Sequence, residues 1–185
     1  MKTLRGRMLV AAPDLQDSIF QRSLILVCEH EEEKGAMGFI VNHPSEMTLH
    51  DLLVDMKITP EVEQDLARPV FLGGPVQPNL GFGVYSGTYE MSDSAEINDR
   101  VRVTASRSLL EHCAIGKGPE NLLVTMGYSG WSPGQLEEEL DTGSWWLTSP
   151  SPELLFDLPP ERRWGKAIEQ LGLEESSLYF GSGHA

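Results

Sequence analysis

The chain has 185 residues, 40% of them hydrophobic, and its 14 Lys and Arg against 28 Asp and Glu give a net charge of −14. That length suits one domain, residues 1–185, able to bury its own core, while no apolar run approaches the ~20 residues that span a bilayer. Two cysteines, Cys28 and Cys113, give no disulfide framework and fit a reducing, cytoplasmic setting.

In chain order, the short apolar stretch after Arg7 is closed by Pro13 and Asp14, too soon for a signal peptide, and reads as a first strand. The unbroken apolar run over 23–30 predicts a central strand buried on both faces. The charged loop "EEEKG" and the run "AMGFIVNHP", stopped by Pro44, complete a hairpin. Leu49, Leu52, Leu53 and Met56 fall on one helical face, with Thr48 as N-cap. Pro60 sits in the first turn of a second short helix predicted over 59–67. Residues 69–87 alternate strand-like pieces with Gly/Pro turns. In "DRVRV" alternation turns Val101 and Val103 inward and Arg100 and Arg102 outward. A helix over 106–114, a strand over 122–126, a helix over 133–141, a strand over 144–149 and a helix over 159–172 follow. The last carries Pro160 near its start, a stripe of Trp164, Ile168 and Leu171, and Gly172 at C′. The tail "FGSGHA" is expected to be loose. Without regular βαβ alternation the reading is α+β, with a mixed, largely antiparallel sheet flanked by helices.

The stretch "GYSGWSPGQLEEEL" (127–140) admits two readings. As a helix start, Ser132 and Gln135 form an S-x-x-Q capping box, with Pro133 as first helical residue. Ser132→Ala would then cost about 1 kcal/mol. As a nucleophile turn, Ser129 falls short of G-x-S-x-G, because the fifth position is Trp131. The only later histidine is His184, and no oxyanion loop precedes it. No catalytic residue is assigned.

The blocks "AAPDLQDSIFQRS", "CEHEEEKGAMGFIVNHP", "FLGGPVQPNLGF", "GYSGWSPGQLEEEL", "SWWLTSP", "RRWGKA" and the terminal "GHA" resemble the AlgH/YqgE family of bacterial proteins nearly end to end. The resemblance implies a cytosolic α+β protein of unusual topology. It implies no reaction and carries over no catalytic or cofactor residue. Some members carry the label of transcriptional regulator, without a recognisable DNA-binding motif. The chain departs from the family pattern at its longer first hairpin and at His43, where relatives usually place Lys or Arg.

Other candidates are weaker. Cys28 with His30, and His112 with Cys113, offer a Cys2His2 set but lack C-x-x-C or H-x3-5-H spacing, so the expectation is structural residues and no metal. The Gly-rich "GGPVQPNLGFG" matches neither phosphate-binding fingerprint, and no cofactor is expected. Glu31, Glu32 and Glu33 read as a solvated loop. The densest basic sites, Arg100–Arg102–Arg107 and Arg162–Arg163–Lys166, lack interleaved aromatics. Lys2, Arg5 and Arg7 contribute +3 to the first twelve residues, which leaves −17 for the rest. Direct nucleic-acid binding is therefore not expected. The reading is a non-enzymatic interaction or regulatory protein, monomeric, with an unidentified protein partner. The alternative is a small-ligand binder or hydrolase whose pocket is built from the GGP and GYSGW turns. Seven residues make up the candidate binding set: His30, Asn42, Gly73, Gly74, Tyr128, Trp131 and Gln135. Their convergence on one cleft would favour the alternative.

Overall fold

A computed structural model describes residues 2–173. Met8–Ala11 forms β1 and Leu24–Glu31 forms β2, with every residue from Leu24 to Cys28 buried as the apolar run predicts. Gly35–Ile40, β3, returns antiparallel to β2 across the charged loop, with a bulge between Val27 and Glu29. The hairpin is thus present but shorter than predicted. Pro44 does not stop β3; it opens β4 (Pro44–Thr48). A proline is tolerated there because β4 pairs only with β5 (Pro69–Leu72), and the outer side of an edge strand needs no N–H.

Thr48 caps α1 (Leu49–Asp55) in a capping box with Asp51: the Asp51 N–H donates to Thr48 Oγ1 at 3.2 Å and the Thr48 N–H to Asp51 Oδ2 at 2.9 Å. Leu49, Leu52 and Leu53 are buried as predicted, but the helix ends before Met56, which is 39% exposed. The helix predicted over 59–67 is absent. Asp65 there sits at φ 64°, outside any right-handed helix, and the Glu61 N–H donates to Ala114 O. Tertiary bonding and a left-handed residue override a weak local signal.

β6 (Val76–Ser86), β7 (Ala95–Glu96), β8 (Val101–Thr104) and α2 (Arg107–Ala114) follow, with Ser106 capping α2. The largest departure is β9. The strand expected over 122–126 runs on to Trp131 and absorbs the whole GYSGW stretch. α3 (Gln135–Asp141) starts two residues later than predicted, behind Gly134 at φ 79°. Gln135 Oε1 accepts from the Ser132 N–H at 3.0 Å, which is half of the capping box. The Pro133–Gly134 turn leaves the Ser132 hydroxyl outside the helix, with no capping bond. Ser132→Ala should therefore change stability by no more than about 0.5 kcal/mol.

β10 (Trp145–Thr148), a π-helical turn (Glu153–Asp157) and α4 (Pro160–Gln170) close the described chain. In α4, Pro160 starts the helix, Trp164 and Ile168 are buried, and Gly172 follows at φ 80°. Arg163, read only as part of a basic site, is 4% exposed. Its Nη1 donates to Val41 O at 2.6 Å and its Nε to Leu158 O at 2.9 Å, and burial pushes the guanidinium pKa down to about 10. The tail "FGSGHA" and His184 lie outside the described residues.

The sheet order is β10-β1-β2-β3-β9-β6-β8-β7, with β4 and β5 branching from it. β5 runs parallel to β9, and the other described pairings are antiparallel. This is the α+β class predicted. β6 lies along one edge of β9, while β5 and then β3 take the other. β9 is the spine on which both halves of the sheet meet.

Candidate functional site

The seven candidate residues fall in three places. Gly73, Gly74 and Tyr128 meet where β9 changes partner from β5 to β3. The Gly73 N–H donates to Met126 O at 2.8 Å, and Gly73 O accepts from the Ile40 N–H at 3.0 Å and from the Ser129 hydroxyl at 3.1 Å. A Cβ on Gly73 would lie 2.1 Å from Thr125 Oγ1, and one on Gly74 2.2 Å from the Tyr128 backbone. Gly127, at φ 73°, faces Gly74 O in the same way, at 2.5 Å. These glycines let two backbones touch. Ser129 is fully buried here, inside a strand and not on a strand-to-helix turn. Its proton is already committed to a carbonyl.

His30, Trp131 and Gln135 meet around α3. His30 Nδ1 accepts from the Leu4 N–H at 3.0 Å, so the ring proton lies on Nε2 and is donated to Glu137 Oε1 at 2.6 Å. Burial raises the Glu137 pKa, but the hydrogen bonds from His30 and from its own backbone N–H outweigh it and hold the carboxyl below the usual glutamate value. Glu139, which the sequence offers only as one of three acids near the start of a helix, binds three donors: the indoles of Trp131 (2.9 Å) and Trp145 (2.8 Å) on Oε2, and Gln135 Nε2 (2.9 Å) on Oε1. The arrangement fastens α3 to the sheet. An acid seven residues into a helix-like pattern carried no signal that two tryptophans would converge on it.

Asn42 stands apart. Its Oδ1 accepts from the Leu24 N–H and its Nδ2 donates to Arg22 O, both at 2.8 Å, tying the end of the β2–β3 hairpin together. Cys28 and Cys113 are buried free thiols; burial pushes both up, Cys113 to about 11. His112 Nδ1 is hydrogen bonded to the Tyr89 hydroxyl. Among the described residues no three His, Cys, Asp or Glu side chains are grouped to hold a metal ion, and no described helix is long and apolar enough to cross a membrane.

A cleft of about 590 Å³ opens elsewhere, and none of the seven residues lines it. Its walls come from Gly6–Arg7 before β1, Ser86–Gly87 after β6, the Asn98–Arg102 segment entering β8, and Ser149–Pro152 with Leu155 and Phe156. Arg7 Nε donates to Thr148 O at 3.3 Å, and Arg102 Nη2 lies 3.1 Å from Glu96 Oε1. The Arg100 side chain is exposed and has no hydrogen bond or ion pair among the described residues. Strand alternation had turned Arg100 and Arg102 outward. The joining of Arg7 to them had no local signal.

Against known proteins, residues 8–176 match a family model described as AlgH-like. A UPF0301 protein of Idiomarina loihiensis is 41% identical over 186 residues, all of both chains. One from Stenotrophomonas maltophilia is 43% identical, covering 98% of this chain and 96% of its own. The solution structure of the AlgH protein from Pseudomonas aeruginosa is similar at TM-score 0.80 and 34% identity, covering 100% of this chain and 97% of that one. A crystal structure of DIP2367 from Corynebacterium diphtheriae shares the fold at TM-score 0.73 and 23% identity, over 89% and 85% of the two chains.

Proposed function

The chain belongs to the AlgH-like family, and on that premise we propose that it works by non-covalent interaction with a protein partner, in a regulatory role, and not as an enzyme. One observation carries this reading: two side chains of the motif blocks, the Ser129 nucleophile candidate and the His30 base candidate, are consumed by the fold. Ser129 is fully buried with its hydroxyl on Gly73 O. His30 is held at both nitrogens, by Leu4 and Glu137. Acid–base or covalent catalysis needs a side chain free to meet a substrate, and these are not. The contact between the GGP and GYSGW backbones at Gly74 and Tyr128 supports the same reading. The acid excess of residues 13–185 supports regulation through a partner and not through direct DNA contact.

The test pairs two measurements on wild type and Ser129→Ala. Purified wild-type protein should turn over no ester, amide or phosphate substrate above the buffer rate. Cross-linking in cells followed by mass spectrometry should recover the same partner with both proteins. Wild-type turnover that Ser129→Ala abolishes would sink the reading, as would tight sequence-selective DNA binding at physiological salt.

A further inference from the structure

We propose that the arginine cleft binds a small organic phosphate: a phosphate monoester carried on an apolar body. This goes beyond the interaction reading and stands independently of it.

The first argument is charge. Among the lining side chains, Arg7, Arg100 and Arg102 stand against Asp99, and Glu96 beside the cleft pairs with Arg102 at 3.1 Å, which leaves a local balance of +1 in a chain of −14. A phosphate monoester carries about −1.5 to −2 at pH 7, and the planar guanidinium fork fits its oxygens.

The second is hydrogen-bond polarity. Three neutral side chains of the cleft, Ser86, Ser151 and Asn98, each accept from the fold and keep a donor. Ser86 Oγ accepts from Asn121 Nδ2 at 3.3 Å, and Ser151 Oγ accepts from the Leu154 N–H at 3.2 Å, so each hydroxyl proton remains unused. Asn98 Oδ1 accepts from the Arg100 and Val101 N–H groups, both at 2.9 Å, which leaves its amide nitrogen. With the Arg100 guanidinium and the terminal nitrogens of Arg7 added, the side chains of the cleft offer more donors than acceptors. A ligand that only accepts complements this, and ionised phosphate is such a ligand. A sugar or an amide, which must also donate, matches this wall less well.

The third is shape. The cleft volume lies within the ~300–1,000 Å³ range of small-molecule sites. Phe156 is half-buried beside the polar wall, backed by the core residues Leu155 and Val101, so an apolar body can lie against its ring while the phosphate meets the arginines.

Net charge decides between a small anion and an acidic protein segment. At physiological salt, fields decay over ~8 Å. A small ligand inside the cleft therefore feels mainly its arginines. A polyacidic chain crossing the rest of a −14 surface would be repelled along its length.

The experiment titrates the protein with phenyl phosphate, followed by amide NMR shifts, with inorganic phosphate, succinate and a poly-glutamate peptide as comparators. Saturable shifts at Gly6, Gly87 and Arg100 are expected, with inorganic phosphate weaker at the same residues. Arg100→Ala should weaken phenyl phosphate about tenfold or more, as loss of one charge-assisted contact does. Its melting temperature should stay near wild type. Arg100→Gln serves as the second variant if Arg100→Ala does not fold. Shifts that do not saturate, that lie elsewhere, or that persist unchanged in a folded Arg100 variant would overturn the site. Succinate binding as tightly as phenyl phosphate would overturn the phosphate assignment, and tighter binding of the peptide would overturn the small molecule.

Discussion

Ser129 at the glycine junction and Ser86 and Ser151 at the cleft are all serines of short, turn-rich motifs, yet their protons have opposite fates. At the junction the Ser129 hydroxyl donates to Gly73 O, Thr125 Oγ1 donates to Gly127 O at 3.3 Å, and backbone meets backbone with no room for a methyl group. At the cleft the serine oxygens accept from the fold, their protons are left over, and Arg100 has no described partner. The conspicuous motif thus builds the protein, while binding capacity collects where donors exceed acceptors. A buried polar group left unpaired is costly, and among the described buried side chains the Ser23 hydroxyl is the one left so. A solvent-facing wall can keep donors in reserve for a ligand at little cost, because water satisfies them meanwhile.

The comparison can be broken first at Gly74. Gly74→Ala forces a left-handed-side conformation (φ 153°) and drives a Cβ to 2.2 Å from the Tyr128 backbone. Strain and overpacking together should cost about 4 kcal/mol. Chemical denaturation would show it, and a loss below about 1 kcal/mol would mean the two backbones are not locked. Ser129→Ala removes one buried hydrogen bond and should cost about 1–2 kcal/mol by the same measurement. A neutral result would show that Gly73 O is satisfied by the Ile40 N–H alone. Gly87→Ala, at the cleft wall, sits at φ 98° with nothing within 4 Å of the new Cβ. It should cost only the backbone term, about 1 kcal/mol, and a value near that of Gly74→Ala would erase the contrast between the regions. Smallest of all, Arg100→Ala should move stability by no more than about 0.5 kcal/mol, because its side chain makes no described bond. A larger loss would make Arg100 a structural residue and remove it from the donor reserve.

Local physics accounts for the elements that were legible. The run Leu24–Cys28 buries both faces because nothing in it is polar. Thr48 starts α1 because its hydroxyl and the Asp51 carboxylate bond reciprocally within one turn. Trp164 and Ile168 point inward because four residues make about one helical turn. Arg100 and Arg102 flank Val101 by strand alternation. Acid excess and a core-forming composition likewise need no coordinates.

What the tertiary structure alone decided depends on partners far away in the chain. GYSGW reads as a turn because glycine is a poor strand former. It is strand because β5, β3 and β6 converge on β9 there, and at Gly127 the close approach of the Gly74 and Val76 carbonyls demands glycine. Residues 59–67 lost their helix to a bond with Ala114 and to a left-handed Asp65. Glu139 became the anchor of two indoles only when β9 and β10 brought Trp131 and Trp145 to it. The cleft draws Arg7, Ser86, Arg100 and Ser151 from four separate segments. Periodicity and capping act within a turn or a pleat and are written into neighbouring residues. Convergence across a sheet is a property of strand order, which no neighbouring residues encode.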